Sequence, residues 1–379
     1  MDRFYFDHNA STPVSPEVLE ALTPALREVY GNASSIHHPG QMAKQRLEAA
    51  RGQVAQLIHA QPREIVFLSG GTEADNLALF GAVRYHPRER KHVVTTAIEH
   101  PAVLAACAQL EREGVSVTRV GVSSDGLVSA GDIRRALRPE TVLVSVMHAN
   151  NELGTVQPLA EIGRIAREAG VLFHSDGVQA VGKLPVDVQA LGVDLYSLTG
   201  HKIYAPKGAG ALYVRQGTRL GAIQFGGHHE RDRRPGTENV PGAVGLGAAA
   251  QWLSDNLDAE TARLRVLRDR LEAGLLQRVP AAVVNCSNAP RTPNTSNVRF
   301  EGCDGEALVI ALDLRGFAVS SGAACSSGAV EPSHVLTAIG LPPQRARASL
   351  RFSLGRSNDA AQVDALIEAV ASVASPHAR

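Results

Sequence analysis

EIVFLSGGTEADN, residues 64–76, reads as a buried strand that breaks at Gly70-Gly71 and turns into a helix. Five more apolar, β-rich runs follow it: HVVTTAI (92–98), TVLVSVMHA (141–149), VLFHS (171–175), VDLYSL (193–198) and GALYV (210–214). Helical spacing lies between them at 101–113 and at 158–169, where Leu159, Ile162, Ala166 and Ala169 share a face and Gly170 offers a C-terminal cap. An earlier helix over 40–58 carries Ala43, Leu47, Ala50, Val54 and Leu57 on one side. Near-continuous apolar strands alternating with amphipathic helices predict an α/β unit on a mostly parallel sheet.

The texture changes along a long helical stretch that starts near 241 and is rich in Glu, Arg and Leu over 259–279. Beyond it, strands are expected at 282–286, 295–300, 317–320 and 348–354, with helices near 305–314, 332–339 and 359–374. This predicts a smaller α+β domain, and a chain of 379 residues is long enough for two. The expected division is 14–260 for the large domain, and 1–13 with 261–379 for the small one.

Apolar residues make up 44% of the chain and charged residues 20%, which excludes a disordered polymer. Thirty-eight basic side chains balance 38 acidic ones, so the electrostatic footprint of a nucleic-acid binder is missing and small partners are favoured. The opening MDRFYFDHNASTP lacks the apolar core of a signal peptide, and the most apolar window, 240–253, is too short to span a bilayer; neither export nor a membrane partner is expected. Cys107, Cys286, Cys303 and Cys325 form neither a disulfide framework nor a C-x-x-C pattern, so a reducing cytoplasm is the expected location.

In an open parallel sheet, ligands bind beyond the carboxyl ends of the strands. Those ends carry Gly70-Gly71-Thr72-Glu73, Glu99 and His100, Asn150 and Asn151, Asp176 and Gln179, and Thr199, His201 and Lys202. Taken singly, each has a plain reading as a turn, a cap or a solvated surface residue. Together they offer a phosphate cradle at a helix N-terminus, a carboxylate, an imidazole and one of only five lysines in the chain. A phosphate-bearing aldehyde needs this set: an amine for its Schiff base, a carboxylate for a pyridine nitrogen, and N–H groups for the phosphate. Pyridoxal phosphate fits, whereas neither the G-x-G-x-x-G fingerprint nor a P-loop is evident. A second reactive position is Cys325, whose small neighbours in SSGAACSSGAVEPSHVL suggest an accessible loop. Cys107, on the apolar side of a helix, reads as a small core residue.

SLTGHKIYAPKGAGALYV (197–214) and SSGAACSSG (320–328) resemble the cysteine desulfurases of the nitrogen-fixation and iron–sulfur-assembly type, within the class V aminotransferase family. DHNASTPV (7–14), GNASSIHHPG (31–40), GGTEADN (70–76), EHPAVL (99–104), MHANNELGTVQP (147–158), HSDGVQAVGKLPVD (174–187), RRPGTENV (233–240) and LRFSLGRSN (350–358) extend the resemblance over nearly the whole chain. It implies a fold-type I enzyme that uses pyridoxal 5'-phosphate to convert L-cysteine to L-alanine. The sulfane sulfur would pass to Cys325 as a persulfide and then to an acceptor protein such as an iron–sulfur scaffold.

By the same resemblance Lys202 tethers the cofactor, Asp176 pairs with its ring nitrogen, and His100 stacks on the ring and assists proton transfer. Gln179 contacts the phenolic oxygen, while Gly71, Thr72, Thr199 and His201 surround the phosphate. Thr237 matches a residue that reaches the phosphate of a neighbouring subunit, which implies a homodimer. Asn151 and Arg351 match the substrate-carboxylate ligands, with Arg356 as the rival fork. His8 departs from the usual opening motif and Thr199 stands where serine is common; both keep hydrogen-bonding capacity. An ordinary aminotransferase or a selenocysteine lyase would share Lys202 and Asp176 without the same need for Cys325. A four-cysteine iron–sulfur scaffold fits poorly with such irregular spacing. The pairs His37-His38 and His228-His229 are expected to serve loops or the cofactor pocket, not a metal.

Overall fold

Seven strands make up the central sheet of the computed structural model, which describes residues 3–321 and 332–374. Their order is Ile65–Leu68, Gly210–Val214, Leu195–Thr199, Leu172–Asp176, Thr141–Ser145, His92–Thr96 and Ser116–Val120. Gly210–Val214 runs antiparallel to both neighbours, and every other pairing is parallel. Alternate side chains serve two cores: Ile65 and Phe67 face one with Leu47, Ile162 and Leu246, while Val66 and Leu68 face the other with Leu77, Val103 and Leu110. Burial on both faces explains the continuous apolar runs. The strand Ser116–Val120 lacks such a run because it lies at the sheet edge with mostly exposed or half-buried side chains, and the hydrophobic pattern did not predict it.

A single 39-residue helix, Val240–Arg278, crosses from this unit into the next. Its Leu246, Ala249, Ala250 and Leu253 pack in the first core, whereas Leu264, Leu267, Leu271 and Leu275 pack with Phe300, Phe352 and Leu366 in a separate one. That second core backs an antiparallel sheet ordered Ser320–Ser321, Ser349–Ser353, Thr295–Phe300 and Ala282–Val284. The run expected as one strand at 317–320 divides in two: Phe317–Ala318 pairs with Phe4–Tyr5 at the start of the chain, and Ser320–Ser321 joins the sheet. Phe6 also sits in the second core. On these contacts we propose that 14–260 forms one unit and that 1–13 with 261–379 forms the other, the long helix carrying the boundary.

A buried ion pair fixes the segment that leads into this helix. Glu230, Arg231 and Asp232 all adopt left-handed backbone, with φ of 44°, 59° and 63°. Such backbone costs a non-glycine residue about 1 kcal/mol or more. It is held by Arg51, whose Nη1 and Nη2 donate to the two Glu230 carboxylate oxygens at 2.7 Å, while the Phe67 N–H donates to the same carboxylate at 2.8 Å. Both side chains of the pair are buried. Glu230→Gln removes the buried counter-ion of Arg51 and leaves it only the half-exposed Glu48, 3.1 Å from Nε; it is expected to cost about 2–3 kcal/mol in urea unfolding, and a loss below about 1 kcal/mol would show that other contacts hold this turn.

Candidate active site

The carboxyl ends of the parallel strands open on a cavity of about 330 Å³. One wall carries buried acid. Asp176 ends its strand and accepts the Val178 N–H at 2.9 Å. Burial pushes its pKa up, and the neighbouring His100 and Lys202 pull it back down. Asp75, projecting from the helix Gly71–Tyr85, is buried as well, and its pKa is raised by desolvation and by Asp176. Among the described residues its Oδ1 has no hydrogen-bond partner. Two buried carboxyl groups side by side favour a cationic or N–H-bearing occupant in the space beside them.

His100 stands at the N-cap of the helix Pro101–Arg112, its Nδ1 accepting the Ala102 N–H at 3.1 Å. Burial lowers its pKa, and Lys202 and His334 push the same way against Asp176. A neutral ring that accepts at Nδ1 carries its proton on Nε2. Lys202 ends a tight turn, Gly200–Lys202, directly after the strand Leu195–Thr199, and its Nζ donates to the Asn9 carbonyl at 2.5 Å and the Ala10 carbonyl at 2.7 Å.

At the far end the 15-residue helix Gly71–Tyr85 begins without a side-chain cap, so its first-turn N–H groups remain donors for an anion. A Cβ on Gly71 would come within 2.7 Å of Val178 Cγ2, so only glycine leaves this cradle open. Thr72 and Thr199 line the same cavity, and the Thr199 hydroxyl is buried with no partner among the described residues. His201 also lines it, its Nδ1 lying 3.3 Å from Ser11 Oγ; burial, then Lys202, lowers its pKa to about 4.

On the side toward the second core, Arg351 comes in from the strand Ser349–Ser353. Its Nη2 donates to Asp7 Oδ1 at 2.6 Å and its Nη1 to the Asn151 carbonyl at 3.1 Å, while Nε is buried and unpartnered among the described residues. Arg356 is elsewhere: it pairs with Glu17 at 2.5 Å and lies over the Trp252 ring. The cavity thus gathers Gly71, Thr72, His100, Asn151, Asp176, Gln179, Thr199, His201, Lys202 and Arg351. Thr237 is exposed and not among the lining residues. Cys325 lies outside the described residues. Burial pushes the thiols of Cys107 and Cys286 up to about 12, and that of Cys303 upward.

The structure adds to three of these expectations. Both ring nitrogens of His8 are buried without a geometrically well-formed hydrogen bond among the described residues, and the ring packs against Tyr5 and Tyr204. Burial lowers its pKa to about 4. The helix expected at 332–339 is shorter, His334–Ala338, with Ser333 as its cap. Sequence reasoning also overlooked Asn9, which meets both units. Its carbonyl accepts from Lys202 and Gln179, its Oδ1 from Lys183 and Asn294, and its Nδ2 donates to the Asn151 carbonyl and Thr295 Oγ1. Its only signal in the sequence is the motif DHNASTPV, which does not show the contacts that Asn9 makes.

Glu99, beside His100, generates a pH prediction. Its Oε1 accepts from Thr96 Oγ1 at 2.7 Å and from the Met147 N–H at 2.9 Å, while Oε2 is buried without a partner among the described residues. Burial raises its pKa to about 8, so the folded chain holds a proton that the unfolded chain, with a glutamate pKa of about 4.3, releases. Its contribution to stability is full below about pH 4 and is lost as the pH rises toward 8. Glu99→Gln reproduces the protonated acid and is expected to flatten the fall of the urea midpoint between pH 5 and 8. An unchanged slope would assign that fall to another group.

The aminotransferase class-V model matches residues 4–366. A protein named cysteine desulfurase IscS from Anaeromyxobacter dehalogenans is 51% identical over 363 residues, 95% of this chain and 89% of the relative. Among solved structures, a NifS-like protein superposes with a TM-score of 0.92 at 35% identity over 98% of this chain and 99% of its own. A structure described as SspA in complex with cysteine gives a TM-score of 0.82 at 37% identity over 92% of this chain and 98% of its own. The mostly parallel α/β sheet is that of the fold-type I enzymes. With that architecture and a match over nearly its whole length, the chain belongs to the aminotransferase class-V family.

Proposed function

We propose that this protein is a cysteine desulfurase that uses pyridoxal 5'-phosphate to convert L-cysteine to L-alanine and passes the sulfur through Cys325 to an acceptor. The observation that carries this reading is one cavity lined by an amine, a buried carboxylate and a neutral imidazole, with an arginine Nε at its side that has no partner among the described residues. The NifS-like fold and the cysteine bound to SspA support the reaction type and the substrate.

The cavity suits the cofactor on its own chemistry. The uncapped helix and the unpartnered Thr199 hydroxyl would hold a phosphate together with Gly71, Thr72 and His201, and the buried Asp176 would hold a pyridinium N–H. Lys202 would form the covalent tether, and Gln179 and Asn151 would contact the cofactor from the turns that follow their strands. Bound there, pyridoxal phosphate supplies an electron-withdrawing ring that makes the α-proton of an amino acid acidic. Lys202 would take and return that proton at Nζ. His100, neutral with its proton on Nε2, would stack on the ring and assist. Arg351 would bind the substrate carboxylate through Nε, with the Asn151 carbonyl and Asp7 keeping its fork aimed.

In the overall change the Cβ–S bond of cysteine breaks and an S–S bond forms at Cys325. The carbon is reduced to a methyl group and the sulfur is oxidised to the sulfane level, so no external oxidant is needed. The three described thiols are held protonated by burial, which supports the fourth as the nucleophile. The exposed segment around Thr237 supports a homodimer in which that residue reaches the partner's phosphate, and an iron–sulfur scaffold is the proposed acceptor. Free thiols at Cys107, Cys286 and Cys303 accord with a reducing cytoplasm.

Adding L-cysteine to the cofactor-loaded protein without reductant is expected to add about 32 mass units to the peptide containing Cys325. Cys325→Ala should keep the cofactor's absorption but lose alanine formation by at least about a hundredfold, whereas Lys202→Ala should lose both the borohydride-trapped tether and turnover. Alanine release by Cys325→Ala at the parent rate would favour the aminotransferase or selenocysteine lyase reading instead.

A further inference from the structure

Lys183 is a second amine beside this site. The turn after Asp176 folds back on itself: the Ala180 and Val181 N–H groups donate to the Gly177 carbonyl, and those of Lys183 and Leu184 to the Ala180 carbonyl. These turns bring the side chains of Gln179 and Lys183 into contact. Between them Gly182 has φ +77°, and a Cβ there would meet Ile203 Cγ2 at 2.9 Å. This packing directs the Lys183 chain inward, where the residue is only 6% exposed.

The Lys183 Nζ donates to Asn9 Oδ1 at 2.9 Å and to Gln179 Oε1 in a short contact. A lysine amine brings three N–H groups when charged and two when neutral, and here two of them are given to the amide oxygens of Asn9 and Gln179, which sets how each amide is turned. For Gln179 this leaves Nε2 on the other side, where one N–H goes to the Asn9 carbonyl at 2.9 Å and the second stays available to the cavity that Gln179 lines. For Asn9 it fixes Oδ1 between Lys183 and Asn294, so that Nδ2 serves Asn151 and Thr295. Without the lysine, either amide could rotate and present an acceptor where a donor now stands.

We propose that Lys183 is a positioning residue for the cofactor site: by holding the amide oxygen of Gln179, it makes that side chain a hydrogen-bond donor toward the phenolic oxygen of the pyridoxal group. The assignment rests on the functional reading above and adds a residue to it. A donor at that oxygen favours its anionic form and so helps the tether on Lys202 release its proton near neutral pH. The other charged or titratable groups around the two amines are Arg351 from the second unit, His8 from the opening segment, His201 from the turn after its strand, and Asp176 and His100 at the strand ends. Burial, with Lys202 and Arg351 adding to it, holds the Lys183 amine well below the ordinary lysine range. That suits an amine used for its N–H groups in a crowded cationic neighbourhood.

The test uses full-length chain loaded with pyridoxal 5'-phosphate, without substrate. Borohydride trapping and peptide mapping come first: a tether on another amine, or none, overturns the functional reading and this inference with it. With the tether on Lys202, the pH dependence of the visible absorption is compared between the parent protein and Lys183→Met. The variant is expected to hold the tether's proton about tenfold more tightly, a rise of about one pH unit. Lys183→Arg, which also brings only donors, is expected to titrate within about a third of a unit of the parent. Lys183→Ala serves if the methionine variant does not fold. Because the effect passes through Gln179, Gln179→Leu with Lys183→Met should titrate like Gln179→Leu alone. A parent-like titration in folded Lys183→Met or Lys183→Ala, a rise in Lys183→Arg as large as that in Lys183→Met, or a further rise in the double variant would overturn the role of Lys183. A loss of melting temperature with an unmoved titration would do the same, because it would show a lysine that serves the fold alone.

Discussion

Asn9 is where the two units of this chain share their polar contacts, and the cavity depends on it. A three-residue stretch from 9 to 11 passes between the central sheet and the second core, with its backbone fixed by the Asn9 N–H donating to Ser353 Oγ at 2.9 Å. Buried backbone carbonyls need partners, and those of Asn9 and Ala10 receive them from the Lys202 amine. The same contacts orient Lys202, so satisfying the buried chain and aiming the amine are one physical event. Asn294 and Thr295 anchor the other side of Asn9 to the second unit. Moving either unit would leave buried amide groups unpaired, at about 1–3 kcal/mol for each, which keeps the site registered across the boundary.

Electrostatics make the cavity selective in a complementary way. Asp75, Glu99 and Asp176 are all buried on the sheet side, and desolvation raises the pKa of each. Lys183, Lys202 and Arg351 gather toward the second unit. A ligand with a protonatable ring nitrogen at one end and a carboxylate at the other would relieve both groups of charge. Asp7 supplies the counter-ion of Arg351 and keeps the guanidinium in place, while its Nε has no hydrogen-bond partner among the described residues. In the proposed reading that edge is the one a substrate carboxylate would take, and the Asp7 pairing accounts for a buried arginine without it.

Local rules revealed what each strand end carries. The apolar runs placed the strands because burial on both faces leaves no room for alternation, and the residues after those runs faced the cavity because parallel strands share one carboxyl end. The edge strand at Ser116–Val120 was illegible for the opposite reason: half its side chains meet water, so its composition resembles a loop. Within the site, Lys202, Asp176 and His100 were legible because each lies at, or within four residues of, the carboxyl end of a strand. Asn9, Asp7 and Lys183 were not. Their meaning lies in contacts such as that between Lys183 and Asn9, which join positions 174 residues apart and leave no periodic trace. The packing of His8 against Tyr5 and Tyr204 was likewise illegible, because ring contacts leave no mark on a motif.

The link between the two ends of the cavity runs through Glu152. It follows Asn151 directly in sequence; its carboxylate accepts from Ser333 Oγ at 2.6 Å, and its carbonyl accepts from Asn297 Nδ2 at 3.3 Å. Burial raises its pKa to about 7, with the Arg351 charge working against that rise. Ser333 caps the helix His334–Ala338 through the Val335 and Leu336 N–H groups, and His334 reaches the Glu99 carbonyl at 2.9 Å. The residues that bracket the proposed substrate carboxylate therefore share hydrogen bonds with the elements next to His100. Displacing Ser333 would uncover a buried carboxylate beside Arg351, and displacing Arg351 would raise the cost of ionising Glu152. Each group stabilises the arrangement the other requires, which makes this side of the cavity a cooperative unit built from both halves of the chain.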